Sequence, residues 1–121
     1  MSQHEKIDYL EFPSRDLASS KAFFSAVFGW DFSDYGPDYS AFANAGIDGG
    51  FYAADLAARS AEGSALAVFF SDNLEQTQSK VEAAGGTIVK PIFSFPGGRR
   101  FHFTEPAGNE FAVWSHPLTD Q

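Results

Sequence analysis

The chain has no cysteine, so neither a disulfide nor thiolate chemistry is open to it. Basic residues are scarce: eight Lys and Arg stand against sixteen Asp and Glu, a formal net charge of -8 at pH 7. A surface this acidic repels phosphate backbones, and the single adjacent basic pair, Arg99-Arg100, makes no basic tract, which argues against nucleic acid as a partner. No apolar run approaches the roughly 20 residues of a membrane span, and the opening Met-Ser-Gln-His-Glu-Lys has no apolar stretch behind a basic one. A cytoplasmic protein with no membrane partner is the expectation. What is abundant is aromatic: 14 Phe, 4 Tyr and 2 Trp among 121 residues. In one domain of this size most of these serve the core, where large side chains bury the most area. The remainder are candidates to line a ligand cavity.

The chain repeats itself in outline. Ile7 to Pro13 alternates as a strand does. Asp16 is a predicted N-cap, followed by Leu17, Phe23, Phe24, Val27 and Phe28 at helical spacing and a stop at Gly29. Three short strands follow, Trp30 to Tyr35, Tyr39 to Asn44 and Gly50 to Ala54, with turns at 36–38 and 46–48. The second half runs in the same order. Ala65 to Ser71 is a strand; Asp72 or Asn73 caps a helix that uses Leu74, Val81 and Ala84; and Gly85-Gly86 closes it. Thr87 to Phe93, Arg100 to Thr104 and Asn109 to Ser115 complete a second meander. The Gly-Gly pairs at 49, 85 and 97 read as turns and helix stops, since none carries a phosphate-loop pattern.

The fold class expected is therefore α+β: two βαβββ modules forming a curved, mostly antiparallel sheet around a cavity, with helices on the outer face. Module 1 covers about 6–54, a small and polar linker about 55–64, and module 2 about 65–115, within one domain spanning 1–121. A short tail follows.

These stretches together resemble the vicinal oxygen chelate superfamily, which includes glyoxalase I, bleomycin-resistance proteins and extradiol dioxygenases. The resemblance is carried by Tyr-Leu-Glu-Phe-Pro-Ser-Arg-Asp-Leu-Ala-Ser-Ser-Lys-Ala-Phe-Phe-Ser-Ala-Val-Phe-Gly-Trp at 9–30, by Val81-Glu82-Ala83-Ala84-Gly85-Gly86, and by Glu105-Pro106-Ala107-Gly108-Asn109-Glu110-Phe111. It implies modules curled around an open cavity, often paired in a homodimer. In enzymes of the superfamily four cavity-facing side chains, usually His and Glu, hold a divalent metal that binds two neighbouring substrate oxygens. Carried over position by position, the ligands fall on Tyr9, Leu66 and Ala112, and on Tyr52 if Gly49-Gly50-Phe51-Tyr52 is aligned with Asn109-Glu110-Phe111-Ala112. Leu and Ala coordinate nothing, and a neutral Tyr is a poor ligand.

Strand alternation assigns Tyr9, Glu11, Tyr52, Val68, Phe70, Glu110 and Trp114 to the cavity face, and Leu10, Phe12, Ala67, Phe69, Phe111 and Val113 to the core. Aromatic walls with two carboxylates suit a flat or cationic molecule. Glu11 is the candidate general base; paired with Arg99 or Arg100 it would be a structural acid instead. Glu110 has the same two readings, and Asn109 is a turn residue. His102, between Phe101 and Phe103, faces either the cavity or the outer surface. Arg99 and Arg100, after Pro96-Gly97-Gly98, either clamp an anion or are solvated charges.

The function expected is metal-independent binding of a small aromatic or cationic ligand by a homodimer, with no cofactor. Tyr9, Glu11, Tyr52, Phe70, His102, Glu110 and Trp114 are the ligand-binding candidates. The alternative is a lyase, isomerase or dioxygenase that uses Glu11 as a base or a displaced divalent-metal site from His102, Glu11 and Glu110.

Overall fold

The caps of the two helices follow directly from sequence. In the computed structural model, which describes residues 2–118, α1 spans Leu17–Phe28 and α2 spans Leu74–Ala83. Asp16 accepts the Ser19 N–H at 3.2 Å, and Asn73, rather than Asp72, accepts the Gln76 N–H at 3.1 Å. Each cap thereby satisfies a backbone donor that the first helical turn leaves unpaired. Gly29, at φ 71°, ends α1 in the left-handed region that favours glycine. The repeat reaches single hydroxyls. Ser14 Oγ accepts the Asp16 N–H at 3.1 Å and bonds Ser20 Oγ at 2.9 Å; Ser71 Oγ accepts the Asn73 N–H at 3.0 Å and bonds Thr77 Oγ1 at 2.7 Å.

Eight strands make two four-stranded mixed sheets. The first contains β1 (Tyr9–Ser14), β2 (Asp31–Asp34), β3 (Tyr39–Ala43) and β4 (Asp48–Ala53), in the order β1-β4-β3-β2. The second contains β5 (Ala67–Phe70), β6 (Thr87–Phe95), β7 (Gly98–Thr104) and β8 (Glu110–Ser115), in the order β5-β8-β7-β6. The hairpins pair antiparallel as their short connections require, but β1 pairs parallel with β4, and β5 with β8. These parallel closures refine the expectation of one mostly antiparallel sheet. Each module joins its first strand to its last across the helical crossover.

The core is aromatic and common to both modules. Phe24 of α1 is fully buried, with Trp30 at 4.4 Å, Phe111 at 5.1 Å and Phe51 at 5.5 Å between ring centroids. Phe111 and Val113 are buried as their alternation predicts. Leu10, Phe12, Ala67 and Phe69 are only half-buried, because they line an apolar cleft of about 250 Å³ between the modules.

Two readings of the glycines and the linker are corrected. Gly49 and Gly50 lie inside β4, not in a turn; a Cβ on Gly49 would stand 2.1 Å from the Leu10 carbonyl oxygen, and one on Gly50 would stand 2.2 Å from the Tyr39 hydroxyl. Glycine inside a strand here marks the close approach of another group. Residues 55–64 are not a plain spacer: Ser60–Glu62 form a 3-10 turn, and Ala58 brackets the start of β8, its N–H on Asn109 Oδ1 and its carbonyl on the Glu110 N–H, both at 2.8 Å.

Asn109 is likewise more than a turn residue. It is fully buried and donates through Nδ2 to the Pro13 carbonyl at 2.7 Å and to Glu105 at 2.6 Å. Glu105, 2% exposed, also accepts the Ala107 N–H at 2.7 Å and the Ser20 hydroxyl at 3.1 Å. Since Ser20 donates to Glu105, it is Ser14 that donates to Ser20. A buried polar chain thus ties β1 and α1 to the turn before β8. Burial pushes the Glu105 carboxyl up from its ordinary range, against the pull of its four donors.

Candidate functional site

One face of the first sheet carries a three-residue hydrogen-bonded group. Tyr39 donates to Glu11 Oε2 at 2.9 Å. Its single hydroxyl hydrogen being used, Tyr9 must supply the hydrogen of the 2.7 Å bond between the two phenols. Burial, then these two bonds, raise the Tyr39 phenol above its usual range. Glu11 Oε1 has no hydrogen-bond partner among the described residues. The acid does not pair with Arg99 or Arg100: Arg99 bonds Glu75 on α2, and Arg100 turns to His102. Glu11, Pro13 and Tyr52 line a cleft of about 290 Å³ whose far wall is Ser64 to Ala67. Tyr52 sits opposite Tyr39 in the β3–β4 ladder and is 36% exposed.

On the second sheet, His102 and Glu110 meet at 3.2 Å, 6% and 4% exposed. Arg100 Nε–H donates to His102 Nε2 at 3.1 Å. A guanidinium only donates, so Nε2 accepts and the imidazole proton resides on Nδ1, directed at Glu110. Burial pushes His102 below its ordinary range, and the charges of Arg100 and Lys90 act in the same sense against the pull of Glu110. Glu110 Oε1 takes the Ser60 N–H at 2.9 Å and the Ser60 hydroxyl at 2.8 Å. Burial raises this carboxyl, but Ser60 and His102 outweigh it and hold it below the usual range. Both oxygens are therefore engaged, and Glu110 serves to hold His102 rather than to present a free acid. Phe70 and Trp114 meet edge to face at 5.2 Å.

The sequence-predicted residues accordingly form two groups. Tyr9, Glu11 and Tyr52 belong to the first sheet; Phe70, His102, Glu110 and Trp114 belong to the second. No hydrogen bond or ion pair among the described residues joins Glu11 to His102 or Glu110. Among them no three His, Cys, Asp or Glu residues stand close enough to share a metal ion. The displaced metal site from His102, Glu11 and Glu110 is thus not assembled. Tyr39 was not singled out from sequence; Gly50 inside a strand is the signal that would have pointed to it.

The ladders also correct the register used for the fourth metal position. Phe12 pairs with Phe51, and Phe69 with Val113, while the matching caps equate Phe12 with Phe69. Gly50, not Tyr52, is therefore the counterpart of Ala112. The four positions become Tyr9, Gly50, Leu66 and Ala112, and the Tyr39 hydroxyl occupies the space a side chain at 50 would enter. This set does not fit a divalent metal: it offers one neutral phenol, already hydrogen-bonded.

The model of the Glyoxalase/Bleomycin resistance protein/Dioxygenase superfamily matches residues 6–113. The chain belongs to this superfamily. Among solved structures, a family enzyme from Burkholderia phytofirmans PsJN is similar at 19% identity over 90% of this chain and 97% of that one, with a TM-score of 0.75. A mutant of the genomically encoded fosfomycin resistance protein FosX from Listeria monocytogenes, complexed with Mn(II) and 1S,2S-dihydroxypropylphosphonic acid, is similar at 16% identity over 96% and 94%, with a TM-score of 0.77. Lactoylglutathione lyase from Agrobacterium tumefaciens is similar at 18% identity over 94% and 96%, with a TM-score of 0.68. At these identities the likeness is one of fold. No curated protein matches the chain. The βαβββ pair of the superfamily is thus retained, the positions that the resemblance assigns to a metal would carry Tyr, Gly, Leu and Ala, and fold alone assigns no reaction.

Proposed function

We propose that this superfamily member binds a small aromatic or cationic molecule without a metal, in the cleft beside Glu11 and Tyr52. The observation that carries the reading is Glu11 itself. Tyr39 fixes one carboxylate oxygen, and the other has no partner among the described residues, beside a cleft that Tyr52 also lines. A carboxylate beside an aromatic ring receives an organic cation by charge pairing and cation–π contact. Val68 and Phe70, on the edge strand β5, are exposed large apolar side chains. Their exposure supports a homodimer in which a second copy covers part of this face. No described helix is long and apolar enough to cross a membrane, and the cytoplasmic location belongs to the same reading.

The test is calorimetric titration with phenyltrimethylammonium. Glu11→Gln is expected to weaken binding by about tenfold, the scale of one partly solvated charge-assisted contact, with an unchanged melting temperature. Equal affinity of both proteins, or a divalent ion held by three or more cavity side chains in a metal-soaked crystal, would sink the proposal. The tethering of Glu11 by Tyr39 also favours a second reading, in which Glu11 is the base of a lyase or isomerase. There, Glu11→Gln abolishes turnover of an α-hydroxy-carbonyl substrate, and the absence of turnover across a panel of such substrates excludes it.

A further inference from the structure

We propose that Arg100 anchors a second binding site, on the face of the second sheet that carries His102 and Trp114, that takes the carboxylate of an aromatic acid. Of the four arginines, Arg15 pairs with Asp55, Arg59 with Glu110 and Arg99 with Glu75, while Lys6, Lys80 and Lys90 stand without an ion pair among the described residues. Arg100 has no carboxylate within ion-pair distance among the described residues, in a protein that carries twice as many acidic as basic side chains. Its one hydrogen bond, Nε to His102, leaves both terminal nitrogens without a partner, and neither is among the buried unpaired atoms. Both therefore keep some contact with solvent, and a guanidinium's two terminal N–H groups form the fork that suits a carboxylate's two oxygens.

The guanidinium is also held in place through its Nε. Ser60 fixes Glu110, Glu110 fixes the Nδ1–H of His102, and His102 Nε2 fixes Arg100 Nε. Because His102 and Glu110 are almost fully buried, the guanidinium has little freedom to lose when it takes a ligand. The charge balance also favours an anion. Glu110 contributes one negative charge, while Arg59 lies 3.9 Å from that carboxylate and Lys90 pairs across the ladder with His102. With Arg100 the cluster is net positive on an acidic protein, so it draws anions locally.

The neighbouring rings suit the rest of the ligand. Arg100 pairs in register with Phe93 on one side and Trp114 on the other, and its guanidinium carbon stands 5.7 Å from the centroid of the Phe95 ring. Phe93 is also exposed. Aromatic flanks exclude water and offer ring faces to a flat ligand body, which selects an aromatic acid over a small hydrated anion. This site uses none of the residues of the Glu11 cleft, so either can fail without the other.

Benzoate is the probe, with benzamide as its uncharged counterpart and inorganic phosphate as the small anion, each titrated by Trp fluorescence and calorimetry. Benzoate is expected to bind at least tenfold more tightly than benzamide or phosphate. Arg100→Gln is expected to lose at least tenfold in benzoate affinity; Arg15→Gln, the same charge change at an exposed pair, leaves it intact. Arg100→Lys keeps the charge without the fork and should also weaken binding, which carries the test if the glutamine variant does not fold. Benzoate bound no better than benzamide, phosphate bound as well as benzoate, or equal losses in Arg100→Gln and Arg15→Gln would each overturn the assignment.

Discussion

Replacing Glu105 with Gln tests the buried chain that joins the two modules. Its carboxylate is 2% exposed and every partner donates: Ala107 N–H to Oε1 at 2.7 Å, Asn109 Nδ2 to Oε2 at 2.6 Å, and the Ser20 hydroxyl at 3.1 Å from each oxygen. An amide nitrogen at either position sets a donor against a donor. Asn109 cannot rotate to relieve this, because its oxygen already holds the Ala58 N–H and its nitrogen the Pro13 carbonyl. One orphaned buried donor costs about 1–3 kcal/mol, and the loss of charge-assisted bonds adds to it. The relief of not burying a charge subtracts, so a net loss of about 3 kcal/mol is expected. In urea unfolding this lowers the midpoint by about 1.5–2 M at the slopes usual for small proteins. The pH dependence has a definite sign. Because burial raises the folded-state value of Glu105, the folded protein binds its proton more readily, and stability from this group falls as pH rises from about 4.3 through that raised value. A protonated carboxyl keeps a lone pair on each oxygen to accept a hydrogen bond and can direct its O–H to the Ser20 hydroxyl oxygen, whereas the amide does not titrate. The gap between the two proteins should therefore widen as pH is lowered from 7 to 5. A gap below about 1 kcal/mol at all pH values, or one that narrows on acidification, would refute this account of the joint.

Two further predictions concern the first sheet. Gly49→Ala drives a Cβ into the Leu10 backbone at 2.1 Å, whereas Gly50→Ala meets the tip of the Tyr39 side chain. Both should destabilise in urea melts, Gly50→Ala by about 1–3 kcal/mol and Gly49→Ala by more; the reverse order would contradict the packing. In alkaline titration followed by tyrosine absorbance, the wild type should show a tyrosine ionising above the ordinary phenol range. Tyr39→Phe should abolish that late transition, since burial and two hydrogen bonds hold this phenol neutral.

The architecture was legible because its signals are local. A capping Asp16 or Asn73, a helical run and a glycine stop define each helix, and twofold alternation placed Phe111 and Val113 in the core. The parallel closure of β1 on β4 was not legible, since a helix and two hairpins intervene and only the hairpins carry turn residues. The site was half legible. Alternation grouped Tyr9, Glu11 and Tyr52 on one face and left His102 open between two, and it says nothing about which groups on one face bond to each other. Tyr39 meets Glu11 across an intervening strand, and Asn109 reads as a turn residue until Pro13, distant in sequence, supplies its acceptor.

The way each module closes also sets an order of events on the ribosome. β1 emerges first yet has no ladder neighbour until β4 has been made, and β5 must wait in the same way for β8. Until then Leu10 and Phe12, and later Phe69 and Phe70, belong to unpaired apolar edges, the kind of segment that sticks to other chains. Pro13 within β1 blunts one of those edges, since it offers no N–H to a stray strand. β5, reading Ala-Val-Phe-Phe, has no such guard. Its exposure ends only with the closing strand of the chain, so a nascent protein stalled before residue 110 is where aggregation should begin.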